Sequence, residues 1–192
     1  QYANLLVVEN PSTSSPGLGF MLATIAEFGE DGWLDWWQAM KNNGVQITSD
    51  WETAYYTNFS GSSGKGAQPM VVSYASSPAA EFIYAETALS ESPTASLVGA
   101  GMCWRQVEFA GILKGTKNRA AAEKFIDFLL SQSFQEDVPM QMFVFPVLPA
   151  AAIPEAFQLT VESPLEPASL SPELIASQRD AWINAWTNLM LN

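Results

Sequence analysis

The 192-residue chain carries 20 acidic residues against 8 basic ones, a net charge of −12, with 48 % hydrophobic residues and no histidine. Without a basic stripe to displace counterions, binding along a nucleic-acid backbone is excluded as a reading. The lack of histidine removes Ser-His and Cys-His nucleophile pairs together with the commonest transition-metal ligand, and the single Cys103 has no partner for a disulfide or a zinc pair.

The hydrophobic content suits one ordinary core or two small lobes. No run of about 18 apolar residues could span a bilayer. The chain opens on Gln1 rather than methionine and shows no signal segment, as expected of a processed, cut or recombinant piece.

In chain order, "NLLVVEN" predicts a buried strand over 4–8. It runs into "NPSTSSPGLGF", where Ser15 is the expected N-cap and Pro16 the first helical residue. Leu18, Met21, Leu22, Ile25 and Phe28 then repeat at helical spacing. A second helix is expected over "DGWLDWWQAMKNNG", from Asp31 as cap to Gly44 as stop.

"VQIT" reads as a strand and "SDWETAYYTNF" as a helix in which Ser49 and Glu52 have capping-box spacing. "GSSGKGAQ" reads as a flexible loop and "MVVSY" as a buried strand. "ASSP" follows as a second polar turn before a helix near 78–88, and "ESPTAS" as a boundary. Beyond it, "SLVGAGMCWRQVEFAGIL" predicts two extended segments and "NRAAAEKFIDFLLS" an amphipathic helix capped by Asn118. The stretch 139–172 should wander before a last helix capped by Ser171. Strands alternating with helices predict an α/β fold with a mainly parallel sheet.

The hydroxyls of "STSSPGLG" have two readings. Ser15 caps a helix while the others are solvated, or together they cradle an anion at the positive end of the helix, where backbone N–H groups lack partners. Both hydroxyl turns follow strand ends, where ligands bind in open parallel sheets.

Among the aromatic residues, Trp33, Trp36, Trp37, Trp182 and Trp186 lie at helical spacing and are expected in the core. Trp51, Tyr74, Trp104 and Phe143 sit at strand ends or loop junctions, the positions from which a cation box is built. Adjacent Tyr55 and Tyr56 could ligate ferric iron, but neighbouring side chains on a helix diverge by about 100°. Paired carboxylates would serve a hydrolase, although no spacing singles out a pair.

The blocks "NPSTSSPGLGFML", "SDWETAYY", "MVVSYASSPAAE", "RQVEFAGILKGTKNRAAAEKFIDFLLSQSFQEDVPMQMFVFPV" and "SPELIASQRDAWINAWTNLM" follow one another as in the thiamine-binding periplasmic proteins of ABC importers, and over nearly all its length the chain resembles that family. The resemblance implies a type II periplasmic-binding-protein-like α/β lobe with a mainly parallel sheet and an incomplete second lobe. The second lobe would comprise 1–99 and 149–192, and 100–148 would return to a first lobe whose remainder is absent.

The implied function is capture of thiamine or its phosphate esters, without catalysis and without a cofactor or metal, for delivery to a membrane permease. The implied location is periplasmic or extracellular, free or lipid-anchored. The implied ligand residues are Thr13, Ser14 and Ser15 at the phosphate or hydroxyethyl end, and Trp51 and Tyr74 beside the rings. Ser76 and Ser77 would lie near them, with Trp104, Glu108 and Phe143 approaching from the other lobe or hinge. The chain departs from the family pattern at Ala80, where members usually carry an aromatic residue, and near Phe143, where they carry tryptophan. A ferric or small-anion receptor of the same fold is the alternative.

Overall fold

The computed structural model describes residues 3–63, 65–161 and 166–192. Gln1, Gly64 of the expected flexible loop and residues 162–165 of the expected wandering stretch lie outside the described residues. The chain divides into two compact units: Gln1–Tyr74 with Leu97–Gln106 and Ser163–Asn192, and Ala75–Ser96 with Val107–Glu162. This division groups 75–96 and 149–162 with the 107–148 segment, whereas the resemblance would put them with residues 1–74.

The first unit is built on a three-stranded parallel sheet in the order β2-β1-β3, with β1 at Leu6–Glu9, β2 at Gln46–Thr48 and β3 at Met70–Val71. Register pairs Val8 with Ile47 and Glu9 with Thr48 on one side, and Val7 with Val71 on the other. The third strand is shorter and more exposed than the expected buried strand, because it lies at the sheet's edge.

Helix α1 (Ser15–Asn42) follows β1 and contains both expected helices, joined at Gly29. Gly29 at φ 71° takes a left-handed conformation that costs glycine little, so the chain bends without a loop. The N-cap is Ser14, one residue before the expected Ser15, which places Pro16 second in the helix. Pro16 is tolerated there as well, since the first four N–H groups have no intrahelical acceptor. Gly44, at φ 78°, ends the helix as expected, its N–H bonded to the Lys41 carbonyl at 3.0 Å.

Val8, Met21, Leu22, Ile25, Trp33 and Trp37 form the core with Trp182, Trp186 and Met190 of the last helix, α8 (Pro172–Leu191). The tryptophan spacing therefore marks the core, with Trp36 partly buried at its margin. Trp37 and Trp186 meet edge to face at 5.4 Å, and Trp37 donates its indole N–H to Thr24 Oγ1 at 3.0 Å. Helix α8 starts as expected, with Ser171 Oγ accepting the Leu174 N–H at 3.1 Å.

Between β2 and β3 the chain makes one turn of α-helix, α2 (Trp51–Thr53), then a π-helix (Ala54–Asn58) and the short α3 (Ser60–Ser63). The cap of α2 is Asp50 rather than Ser49. Its carboxylate takes the Thr53 N–H at 2.7 Å, so the expected capping box does not form.

The second unit holds α4 (Ser77–Ile83), α5 (Arg119–Leu129), α6 (Gln132–Met142) and α7 (Glu155–Thr160). The two extended segments expected near 96–113 form no described strand, only an isolated bridge between Trp104 and Ala168 in the first unit. The wandering stretch is partly helical, through the end of α6 and through α7. Buried Gln135 organises it: its amide donates to the Leu129 carbonyl at 2.7 Å, and its Oε1 accepts the Val147 N–H at 2.7 Å.

Candidate functional site

In the first unit, three loops leave the carboxyl ends of three parallel strands. Residues 10–14 follow β1, Ser49 and Asp50 follow β2, and 72–74 follow β3. Hydrogen bonds join these loops to one another. Asn10 N–H reaches the Thr48 carbonyl at 2.8 Å, Thr13 Oγ1 donates to the Ser49 carbonyl at 2.5 Å, and Trp51 Nε1 donates to Ser73 Oγ at 2.9 Å. The three loops are thus tied into one platform at the carboxyl edge of the sheet.

The four hydroxyls divide between these tasks. Ser12 is held by Asn10, whose Oδ1 accepts both its N–H at 2.9 Å and its Oγ–H at 2.8 Å, and Thr13 ties the loop to Ser49. Ser14 caps α1 only through its backbone: its carbonyl accepts the Leu18 N–H at 2.9 Å, while Oγ, in a residue 9 % exposed, has no partner among the described residues. Ser15 is exposed at the first helical position. Gly17 lets the helix start sit directly on β1, since a Cβ there would overlap the Glu9 carbonyl.

Trp51 stacks on Tyr55 at 4.7 Å, meets Tyr56 edge to face at 5.5 Å and lies 6.0 Å from Tyr74. Beside it, Asp50 is held below the usual carboxylate range by the Ser49 hydroxyl, then by the Thr53 N–H and hydroxyl. Sequence reasoning brought Trp51 and Tyr74 to this edge but took Tyr55 and Tyr56 as neighbours on an α-helix. The backbone there is π-helical, and the two rings stand 5.4 Å apart, one buried and one exposed.

Glu9 was missed altogether. It ends the central strand at 1 % exposure, and no other described residue donates a hydrogen bond to its carboxyl. Burial pushes its pKa up to about 8; its own backbone N–H opposes that shift in part, and the nearby charge of Asp50 adds to it. An acidic residue closing the apolar run "LLVVE" is the signal that was available.

Trp104 packs over Gly19 of α1, where an added Cβ would come within 3.4 Å, and so lies against the core of the first unit. In the second unit, Ser76 caps α4 by position and donates Oγ–H to the Phe143 carbonyl at 2.5 Å. Phe143 itself takes the left-handed conformation that ends α6, with its ring between Tyr84 at 5.7 Å and Phe157 at 6.1 Å. Ser77 opens α4, and Glu108 is exposed on an irregular segment. Among the described residues no group of three or more acidic or cysteine side chains is placed to hold a metal ion, and no helix is long and apolar enough to cross a membrane.

Residues 1–159 match the sequence profile of the bacterial extracellular solute-binding proteins. The thiamine-binding periplasmic proteins of Salmonella typhimurium and Escherichia coli are 31 % and 30 % identical to the chain over 187 residues, or 94 % of this chain and 52 % of theirs. That of Haemophilus influenzae is 25 % identical over 181 residues, 94 % of this chain and 51 % of its own. A solved periplasmic thiamin binding protein superposes with a TM-score of 0.76 at 28 % identity, over 99 % of this chain and 56 % of that chain. The chain spans about half the length of the curated relatives it matches.

Proposed function

Since the chain belongs to the bacterial extracellular solute-binding protein family, we propose that it binds thiamine or a thiamine phosphate ester outside the cytoplasm and passes it to the permease of an ABC importer. The observation that carries this reading is the platform at the carboxyl edge of the sheet. There the start of α1 and the Trp51 aromatic cluster are joined by the Thr13–Ser49 hydrogen bond.

Thiamine is a permanent thiazolium cation linked to a flat aminopyrimidine, and its esters add an anion. Trp51 and Tyr74 offer ring faces to the cation and the pyrimidine. Ser14 and Ser15, at the positive N-terminal end of α1, suit the phosphate. The net charge of −12 favours the approach of a cation. The relatives are binding proteins, and the role assigned to these residues is binding, with no catalytic step.

The test is a tryptophan-fluorescence titration of the full chain with thiamine, thiamine monophosphate, choline and inorganic phosphate. Saturable quenching by the thiamine compounds alone is the expected result. No response to either thiamine compound overturns the vitamin assignment.

A further inference from the structure

Trp51 is ringed by more aromatic surface than an α-helix would bring to it. With 3.6 residues per turn, residue i+4 lies almost above residue i, while i+5 lies about 140° away. Here the Phe59 N–H bonds to the Ala54 carbonyl at 2.9 Å, five residues back, and the widened turn carries both Tyr55 and Tyr56 to the Trp51 ring.

The two rings have different situations. Tyr55, 3 % exposed, stacks on one face of the indole and fixes it from below, with Phe59 tilted behind at 5.5 Å. Tyr56, 57 % exposed, stands at 79° to the indole, and Tyr74, 41 % exposed, is tilted 56° to it on the side of the β3 loop. Ionised Asp50 and the adjoining Glu52 make the surroundings anionic. Wide π-turns of this kind are rare and are frequently found at functional sites.

We propose that Tyr56 is a further specificity-determining residue, which with Trp51 and Tyr74 forms a three-ring wall for a delocalised organic cation. This rests on the reading that Trp51 and Tyr74 face the ligand. Packing alone accounts for Tyr55, but it leaves Tyr56 more than half in water, with its ring turned edge to face against the indole. The negative faces of such rings attract a weakly hydrated cation and give little to a neutral ring of the same shape beyond contact area.

The experiment is calorimetric titration of the full chain and of Tyr56→Leu, Tyr56→Phe and Trp51→Ala with thiamine and with its uncharged thiophene isostere. Tyr56→Leu should weaken thiamine by about three- to tenfold and the isostere by less than about twofold, and Tyr56→Phe should restore most of the loss, since the ring rather than the hydroxyl is used. The position is exposed, so these changes leave the core intact. If Tyr56→Leu matches the wild type while Trp51→Ala loses thiamine, the inference fails and the site stands. Equal losses for the charged and uncharged ligands overturn the cation assignment. Unchanged binding in both variants overturns the site itself.

Discussion

Glu9 carries the clearest consequence of single-residue chemistry in this molecule. With its pKa raised from 4.5 to about 8 by burial, the folded protein keeps a proton that the unfolded chain releases. Below about pH 4.5 both states hold it and the residue is neutral in its effect on folding. As pH climbs from there toward 8 the unfolded state binds fewer protons, so stability falls; above 8 the penalty levels off. Denaturant unfolding of wild type and Glu9→Gln across this range should show the variant gaining on the wild type, by on the order of a few kcal/mol in total. A parallel pair of curves would place Glu9 in a more hydrated setting. The useful comparison is the slope, because the glutamine amide brings its own unsatisfied donors.

At the scale of elements, two serine caps in the same unit behave differently. Ser171 Oγ takes an N–H of α8, so Ser171→Ala should cost about 1 kcal/mol in a denaturant melt. Ser14 caps α1 with its backbone alone, leaving its buried hydroxyl without a partner among the described residues. Ser14→Ala should therefore change stability by less than about 0.5 kcal/mol. If the hydroxyl instead serves the ligand, the same change weakens thiamine monophosphate more than thiamine, by about three- to tenfold, the value of one hydrogen bond to a charged group. Equal losses for both compounds, or none, would return Ser14 to a purely structural role.

For the whole molecule, the tryptophans concentrate stability in one unit. Trp186 has no exposed surface and meets Trp37 edge to face, across the contact of α8 with α1 that closes the core over the sheet. Trp186→Ala should destabilise the protein by about 3 to 5 kcal/mol. A double-mutant cycle with Trp37→Leu should give a coupling of about 0.5 to 1.5 kcal/mol for the ring pair. Additive effects would mean that the two rings contribute area without a specific geometry. Since the platform stands on the same sheet, ligand binding and the stability of this unit should rise and fall together in a thermal shift series.

The sequence by itself determined the α/β class, the order of strand, hydroxyl loop and helix at the start, the cap of α8 and the separation of core tryptophans from Trp51. Each of these is written in local spacing or in a cap within a few residues of what it caps. Tertiary structure alone decided that Ser14 rather than Ser15 ends the loop, since Thr13 is drawn to Ser49 from a distant element. It likewise decided that Asp50 displaces Ser49 as the cap of α2, that the turn after Trp51 widens to carry Tyr56 to the indole, and that Glu9 closes the central strand with no donor from another described residue. The stretch 96–113 reads as two extended segments from its composition, yet a strand forms only where a neighbouring strand takes its N–H and C=O groups, and among the described residues this stretch has only the isolated bridge of Trp104 to Ala168. Spacing fixes what a residue shares with its near neighbours; partners brought together across the fold fix its cap, its charge state and its exposure.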